Sequence, residues 1–181
     1  MRTINIIGEI NDTLIKNTLE KIFEIEKTDN EIITNNNKLS NKKDHKQLED
    51  LIINITSVGG YVHGFNAIYD ALSKLKCKVI TRGYGLCASA GFWLMLVGDE
   101  RYAGKNTRFL YHTLAYDNGY DKLQFHIDRI EVTEKIQKKL EKIILEKTKI
   151  TQEMLDEHRK DDWNMFFDEA LELGIIQGEI A

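Results

Sequence analysis

The sequence predicts an α/β domain with a mainly parallel sheet. Short apolar runs rich in isoleucine and valine alternate with segments whose apolar residues recur at helical spacing. Two of those runs lead through small-residue turns, Gly59-Gly60 and Gly85 to Gly91, into the next helical segment. The 181 residues, 42% apolar and 30% charged, suffice for one domain with a real core and show no internal repeat and no linker.

The elements follow in order. Ile4-Asn5-Ile6-Ile7-Gly8 reads as a short strand ended by glycine. Asn11 or Asp12 caps a helix carrying Leu14, Ile15, Leu19, Ile22 and Phe23. Thr28 to Asp44 is rich in Asn, Lys and Asp and reads as a long surface loop, partly disordered, within a polar insertion spanning 28–48. Leu51 to Thr56 is a largely buried strand ending at Ser57-Val58-Gly59-Gly60, and a helix with Phe65, Ile68, Ala71, Leu72 and Leu75 on one face follows. A strand at Lys78 to Thr81 leads to a turn around Ser89 and an apolar helix over Phe92 to Val97. Asp99 to Gly104 and Thr107 to Tyr111 are further short strands, and Asp117-Asn118-Gly119 is a turn. A long amphipathic helix runs from about Leu123 to Lys147, with Ile127, Ile130, Ile136, Leu140, Ile143 and Ile144 as its stripe. Thr151 starts another helix, the last helix covers Phe167 to Leu173 and stops at Gly174, and Ile175-Ile176 forms a closing strand.

Composition narrows the function. A formal net charge of -4 with a pI near 5.8 argues against a nucleic-acid-binding surface. The apolar runs are too short to span a membrane, and the N-terminus reads as a strand, not a signal peptide. Cys77 and Cys87 make no disulfide framework and read as buried free thiols, which fits the cytoplasm. No ligand spacing suggests a metal or a cofactor. With no proline in the chain, turns rely on Gly, Asn and Asp.

Three features carry chemistry. Gly59-Gly60 at a strand end leaves backbone N–H groups unshielded, although a plain turn would look the same. Ser89 stands among small residues at the start of an apolar helix, where free N–H groups would stabilise an oxyanion. On that stretch alone, an ordinary serine N-cap is the stronger reading. His112 directly follows the apolar strand Phe109-Leu110-Tyr111 and can be a base that takes a serine proton, although a buried or surface histidine is the stronger reading for it alone. Asp161 and Asp162, just before Trp163, are candidates to orient that histidine, or they cap the helix entry. Ser57 is expected to support the backbone beside the glycines. His45, His63, His126 and His158 fall on polar or charged stretches and are poorer candidates.

These residues occur in segments that match one family in order. Ile55-Thr-Ser-Val-Gly-Gly60 resembles Ile-Asn-Ser-Pro-Gly-Gly of the Clp protease proteolytic subunit, a ring-forming serine peptidase. Ala67-Ile-Tyr-Asp70 resembles the helix that follows, and Gly85-Leu-Cys-Ala-Ser89-Ala-Gly91 resembles Gly-Gln-Ala-Ala-Ser-Met-Gly around the nucleophile. Thr107-Arg-Phe-Leu-Tyr-His112 and Glu169-Ala-Leu-Glu-Leu-Gly174 resemble the histidine segment and the closing helix. The likeness runs from Ile55 to Ile176.

The resemblance implies a spiral β/α fold shared with crotonase-type acyl-CoA enzymes, with the long helix from Leu123 protruding as a ring-to-ring element. It implies Ser89 as nucleophile, His112 as general base and Asp162 as the acid, with Asp161 as the alternative. Gly60 and Ala90 would donate N–H groups to the oxyanion. The implied activity is serine endopeptidase cleavage through an acyl-enzyme inside an oligomeric chamber, without cofactor or metal. Implied partners are polypeptide substrates and copies of the chain in a ring of seven, with a second stacked ring and an AAA+ unfoldase as further candidates. Val58 replaces the family's proline, Thr113-Leu114 replaces a Gln-Pro, and the 28–48 insertion has no counterpart in the usual bacterial enzyme. With its first strand at the very start of the sequence, the chain is expected to lack the family's pore-forming N-terminal segment. Short, diverged members of this kind resemble phage head-maturation proteases. A non-catalytic ring or scaffold, and more remotely an acyl-CoA enzyme, are the other readings.

Overall fold

A computed structural model describes residues 2–115, 119 and 122–180. The expected Asp117-Asn118-Gly119 turn falls largely outside these residues. β1 (Arg2–Ile10), β2 (Leu51–Gly60), β3 (Val79–Ala88), β4 (Glu100–Ala103) and β7 (Gly178–Glu179) form a parallel sheet in the order β1-β2-β3-β4-β7. The connections are α1 (Asp12–Asn36), α2 (Val62–Ser73) and α3 (Ala90–Met95). Ile4, Ile6 and Ile10 of β1 are buried in alternation with exposed residues, as on an edge strand covered on one face, whereas Leu51, Ile52 and Ile53 of β2 are buried in succession.

β3 is much longer than its apolar start at Lys78 to Thr81 implies. It pairs with β4 through Ile80 to Gly83 and then with β5 (Arg108–Tyr111) through Leu86 to Ala88. Gly85, at φ +63, lies between the two pairings, in backbone that a side chain would strain. β6 (Trp163–Met165), not anticipated from sequence, pairs antiparallel with β5. The anticipated strand at Ile175-Ile176 is instead a buried non-strand segment, and the short β7 comes after it.

The segment from Thr28 onward also departs from expectation: α1 continues to Asn36 rather than giving way to a loop. The cause is tertiary. Asp29 is 2% exposed and accepts two hydrogen bonds from the Arg2 guanidinium of β1, which docks a polar-looking helix on the sheet edge. Asn36 then brackets the backbone of Lys46 from both sides, at 2.9 Å each, so the chain folds back on the helix end. A 3-10 turn at Lys42–Asp44, capped by Asn41, fills the space between.

α4 (Leu123–Lys147) has the predicted bounds, but its stripe divides in two. Leu140 and Ile144 are buried in the core, whereas Ile127 is 41% and Ile130 43% exposed, and beside them Leu123, Phe125 and Val132 are exposed as well. α5 (Gln152–Glu157), capped by Thr151, and α6 (Phe167–Glu172) complete the fold.

Removing Asp29 takes the carboxylate partner from the Arg2 guanidinium, which keeps its bond to the Glu49 carbonyl. Asp29→Ala is expected to lower stability by about 3 kcal/mol, read as a lower urea midpoint; a loss under about 0.5 kcal/mol, the range of a plain surface change, would show that the ion pair does not hold α1.

Candidate active site

Ser89 has φ +52 and ψ -125, the only non-glycine residue with positive φ among those described. A strained serine between a strand and a helix is a recurrent signature of functional turns. Its backbone is fixed on both sides: the N–H donates to Leu110 O of β5 at 2.9 Å, and the carbonyl accepts from Phe92 and Trp93 of α3. The side chain makes no capping hydrogen bond, so the ordinary N-cap reading is set aside. Ala90 opens α3, where an N–H has no partner within the helix.

Gly59 lies directly against this turn. A Cβ at Gly59 would stand 2.6 Å from Ser89 Cβ and 3.1 Å from Ala90 N, and its φ is +97. Gly60, at φ +148, packs as closely on the backbone of Ile10. Ser57 holds the turn as expected: its hydroxyl donates to Gly8 O at 2.6 Å and accepts from Gly59 N at 3.0 Å. The Gly59 N–H is thereby engaged.

The other two candidates come from the β5–β6 pair. Its last rung is Tyr111 opposite Trp163, so His112 and Asp162 are the next residues along the two strands. Antiparallel neighbours of this kind share a face, and this register favours Asp162 over Asp161 as the residue beside His112. Asp161 and Asp162 are both exposed, and neither caps a helix. His112 is half-buried, and its Nδ1 lies 2.6 Å from Thr113 O. Among the described residues no hydrogen bond joins Ser89 to His112 or His112 to Asp162. The fold thus brings the segments together without closing the relay. Among the remaining histidines, His158 stacks on Trp163, with ring centroids 4.3 Å apart, and His63 stacks on Tyr61.

Val62, Phe65, Trp93, Leu114 and Leu140 line a small apolar pocket beside Ser89 and Ala90, about 10 Å³ in free volume, the space of roughly one water. A side chain entering it must displace this lining. Cys87, two residues before Ser89, is fully buried, and burial pushes its thiol up to about 12; desolvation likewise pushes Cys77 up to about 11. Neither is an activated nucleophile. No cluster of three or more metal-ligating side chains occurs among the described residues, and none of their helices is long and apolar enough to cross a membrane.

A mainly parallel β/α domain with a strained serine packed on a Gly-Gly strand end defines the class. The particular family follows from comparison: the Clp protease family model matches residues 1–180, and the chain belongs to that family. Subunit 2 of the ATP-dependent Clp protease from Pseudomonas aeruginosa is 31% identical over 124 residues, covering 67% of this chain and 61% of that protein. The chloroplastic subunit 6 from Arabidopsis thaliana is 31% identical over 135 residues, covering 71% and 48%. The matched region therefore spans about half to three fifths of these curated relatives. A point mutant of ClpP1 from Listeria monocytogenes has the same fold, with a TM-score of 0.79 at 24% identity over 99% of this chain and 91% of that one.

Sequence reasoning missed β6, although Trp163-Asn164-Met165 alternates apolar and polar residues as a strand should. It also treated Gly59 as a turn glycine, because its contact with Ser89 comes from a different strand.

Two measurements check this site. Gly59→Ala is expected to destabilise the fold by about 2 kcal/mol or more, through the clash and the positive φ; wild-type thermal stability would contradict the packing. Both thiols are expected to resist Ellman's reagent at pH 8 in the folded protein and to react on unfolding. Rapid reaction in the folded state would contradict their burial.

Proposed function

We propose that this chain is a serine endopeptidase that works as part of an oligomeric ring. The observation that carries the reading is Ser89, held at positive φ with its hydroxyl free of any capping role and the glycine strand end against it. In this mechanism His112 takes the Ser89 proton as Oγ attacks the substrate carbonyl, and Asp162 orients the imidazole. The N–H groups of Ala90 and Gly60 receive the oxyanion. His112 returns the proton to the leaving amine, and water then hydrolyses the ester by the reverse proton path. Family membership and the β5–β6 register support these assignments.

The absence of a hydrogen bond between Ser89 and His112 among the described residues gives a second reading its footing: a resting form with an unaligned relay, or a ring protein that does not cut. A head-maturation protease is a further alternative for the same candidate residues. The apolar first half of α4 supports assembly, because Leu123, Phe125 and Val132 are exposed among the described residues. Copies of this chain are the partners it suits, in a ring of seven or two such rings, and an unfoldase would act on that assembly. The cytoplasm is the compartment proposed, and one relative is chloroplastic.

Fluorophosphonate is expected to label Ser89 in the wild type and not in Ser89→Ala. His112→Ala and Asp162→Asn are expected to slow labelling about a hundredfold or more, and Asp161→Asn to leave it within a few-fold. No labelling of a folded, assembled protein would favour the scaffold reading. In sedimentation, Phe125→Ser combined with Val132→Ser is expected to shift the assembly to smaller species; an unchanged distribution would remove α4 from the interface.

A further inference from the structure

Beyond the last β5–β6 rung, the two strands leave the sheet, and the polar groups that hold them there come from α4. Glu141, 3% exposed, receives the Tyr111 hydroxyl of β5 at 3.4 Å and Gln137 Nε2 at 3.0 Å on one oxygen. Its other oxygen receives Gln152 of α5 at 3.4 Å and lies 3.5 Å from the Arg159 guanidinium. Gln137 is also buried: its Nε2 donates to the Tyr111 hydroxyl, and its Oε1 accepts the N–H of Leu114, two residues after His112, at 2.8 Å. Arg159 stands three residues before Asp162, and its carbonyl accepts from the Thr113 hydroxyl at 3.3 Å. Asp156 also holds the Arg159 guanidinium, at 2.8 Å.

One buried carboxylate is thus tied to the strand before His112, through Gln137 to the chain after it, and to the loop that delivers Asp162. A buried charge costs several kcal/mol unless it is paired, and a nonpolar side chain would fill the same space without that demand. We infer that Glu141 is a positioning residue: with Gln137 and Arg159 it sets the separation of His112 and Asp162. This rests on the serine peptidase reading for its consequence, not for its geometry. Glu141 touches neither the nucleophile nor the base. Its effect comes through where the two segments lie, and small misplacements of catalytic groups are costly.

The test compares wild type, Glu141→Gln and Arg159→Met in the assembled protein. Arg159 is 46% exposed, so its variant keeps the clamp testable should Glu141→Gln fail to fold. Two readouts are taken: the rate of fluorophosphonate labelling at Ser89, and the His112 ring titration by NMR, with Asp162→Asn as reference. Labelling slower by about tenfold or more, together with a His112 titration moved toward that of Asp162→Asn at unchanged assembly, is the result expected. Labelling within twofold of wild type and an unmoved titration in a folded variant would overturn the inference. An unlabelled wild type would count against the peptidase reading instead, and the titration, which needs no activity, would then decide the positioning role.

Discussion

The contact between Gly59 and the Ser89 turn is the constraint on which the site depends. β2 and β3 run parallel up to Ile55 opposite Gly83, and then shift register so that Ser57 meets Cys87. That shift brings the end of β2 against the end of β3 with no room for a side chain between them. Ser57 secures the approach from one side by bonding Gly8 of β1 and the Gly59 N–H. Leu110 of β5 secures it from the other by accepting the Ser89 N–H. Three neighbouring strands therefore fix one serine in a conformation that an L-residue adopts only under such restraint.

β3 makes this possible by changing partners. Its first half belongs to the parallel sheet with β4, and its second half pairs with β5, which ends one residue before His112 and in turn pairs with β6. The change of partner at Gly85 separates the part of β3 in the main parallel sheet from the part that leads to the candidate site. Burial follows the same division. Phe92, Trp93 and Tyr111 pack edge-on beneath the serine turn, while His112 and Asp162 lie at the rim.

Charged groups inside the fold serve to join elements. Arg2 and Asp29 dock α1 on β1, and Glu141 gathers β5, α4, α5 and the loop before β6. Arg101, also buried, donates to the carbonyls of Gly98, Lys147, Gly174 and Ile175, so that one guanidinium satisfies the ends of several elements. Each draws together segments far apart in sequence, where no periodic pattern can announce the contact.

The sequence by itself determined the alternation of strands and helices, the bounds of α4, the caps at Asn11 and Thr151 and the buried thiols, and it named Ser89, His112 and Asp162 or Asp161 as candidates. Those rest on local chemistry: apolar period, capping side chains, and small residues where the backbone comes close. Tertiary structure decided the rest. It extended α1 through Thr28 to Asn36, because a buried ion pair outweighs poor local hydrophobicity. It carried β3 on to Ala88 and ordered β6, because strand length is set by the partner's hydrogen bonds. It set the β5–β6 register, which leaves His112 and Asp162 one step past the last rung; register is a property of two strands and is written in neither one alone.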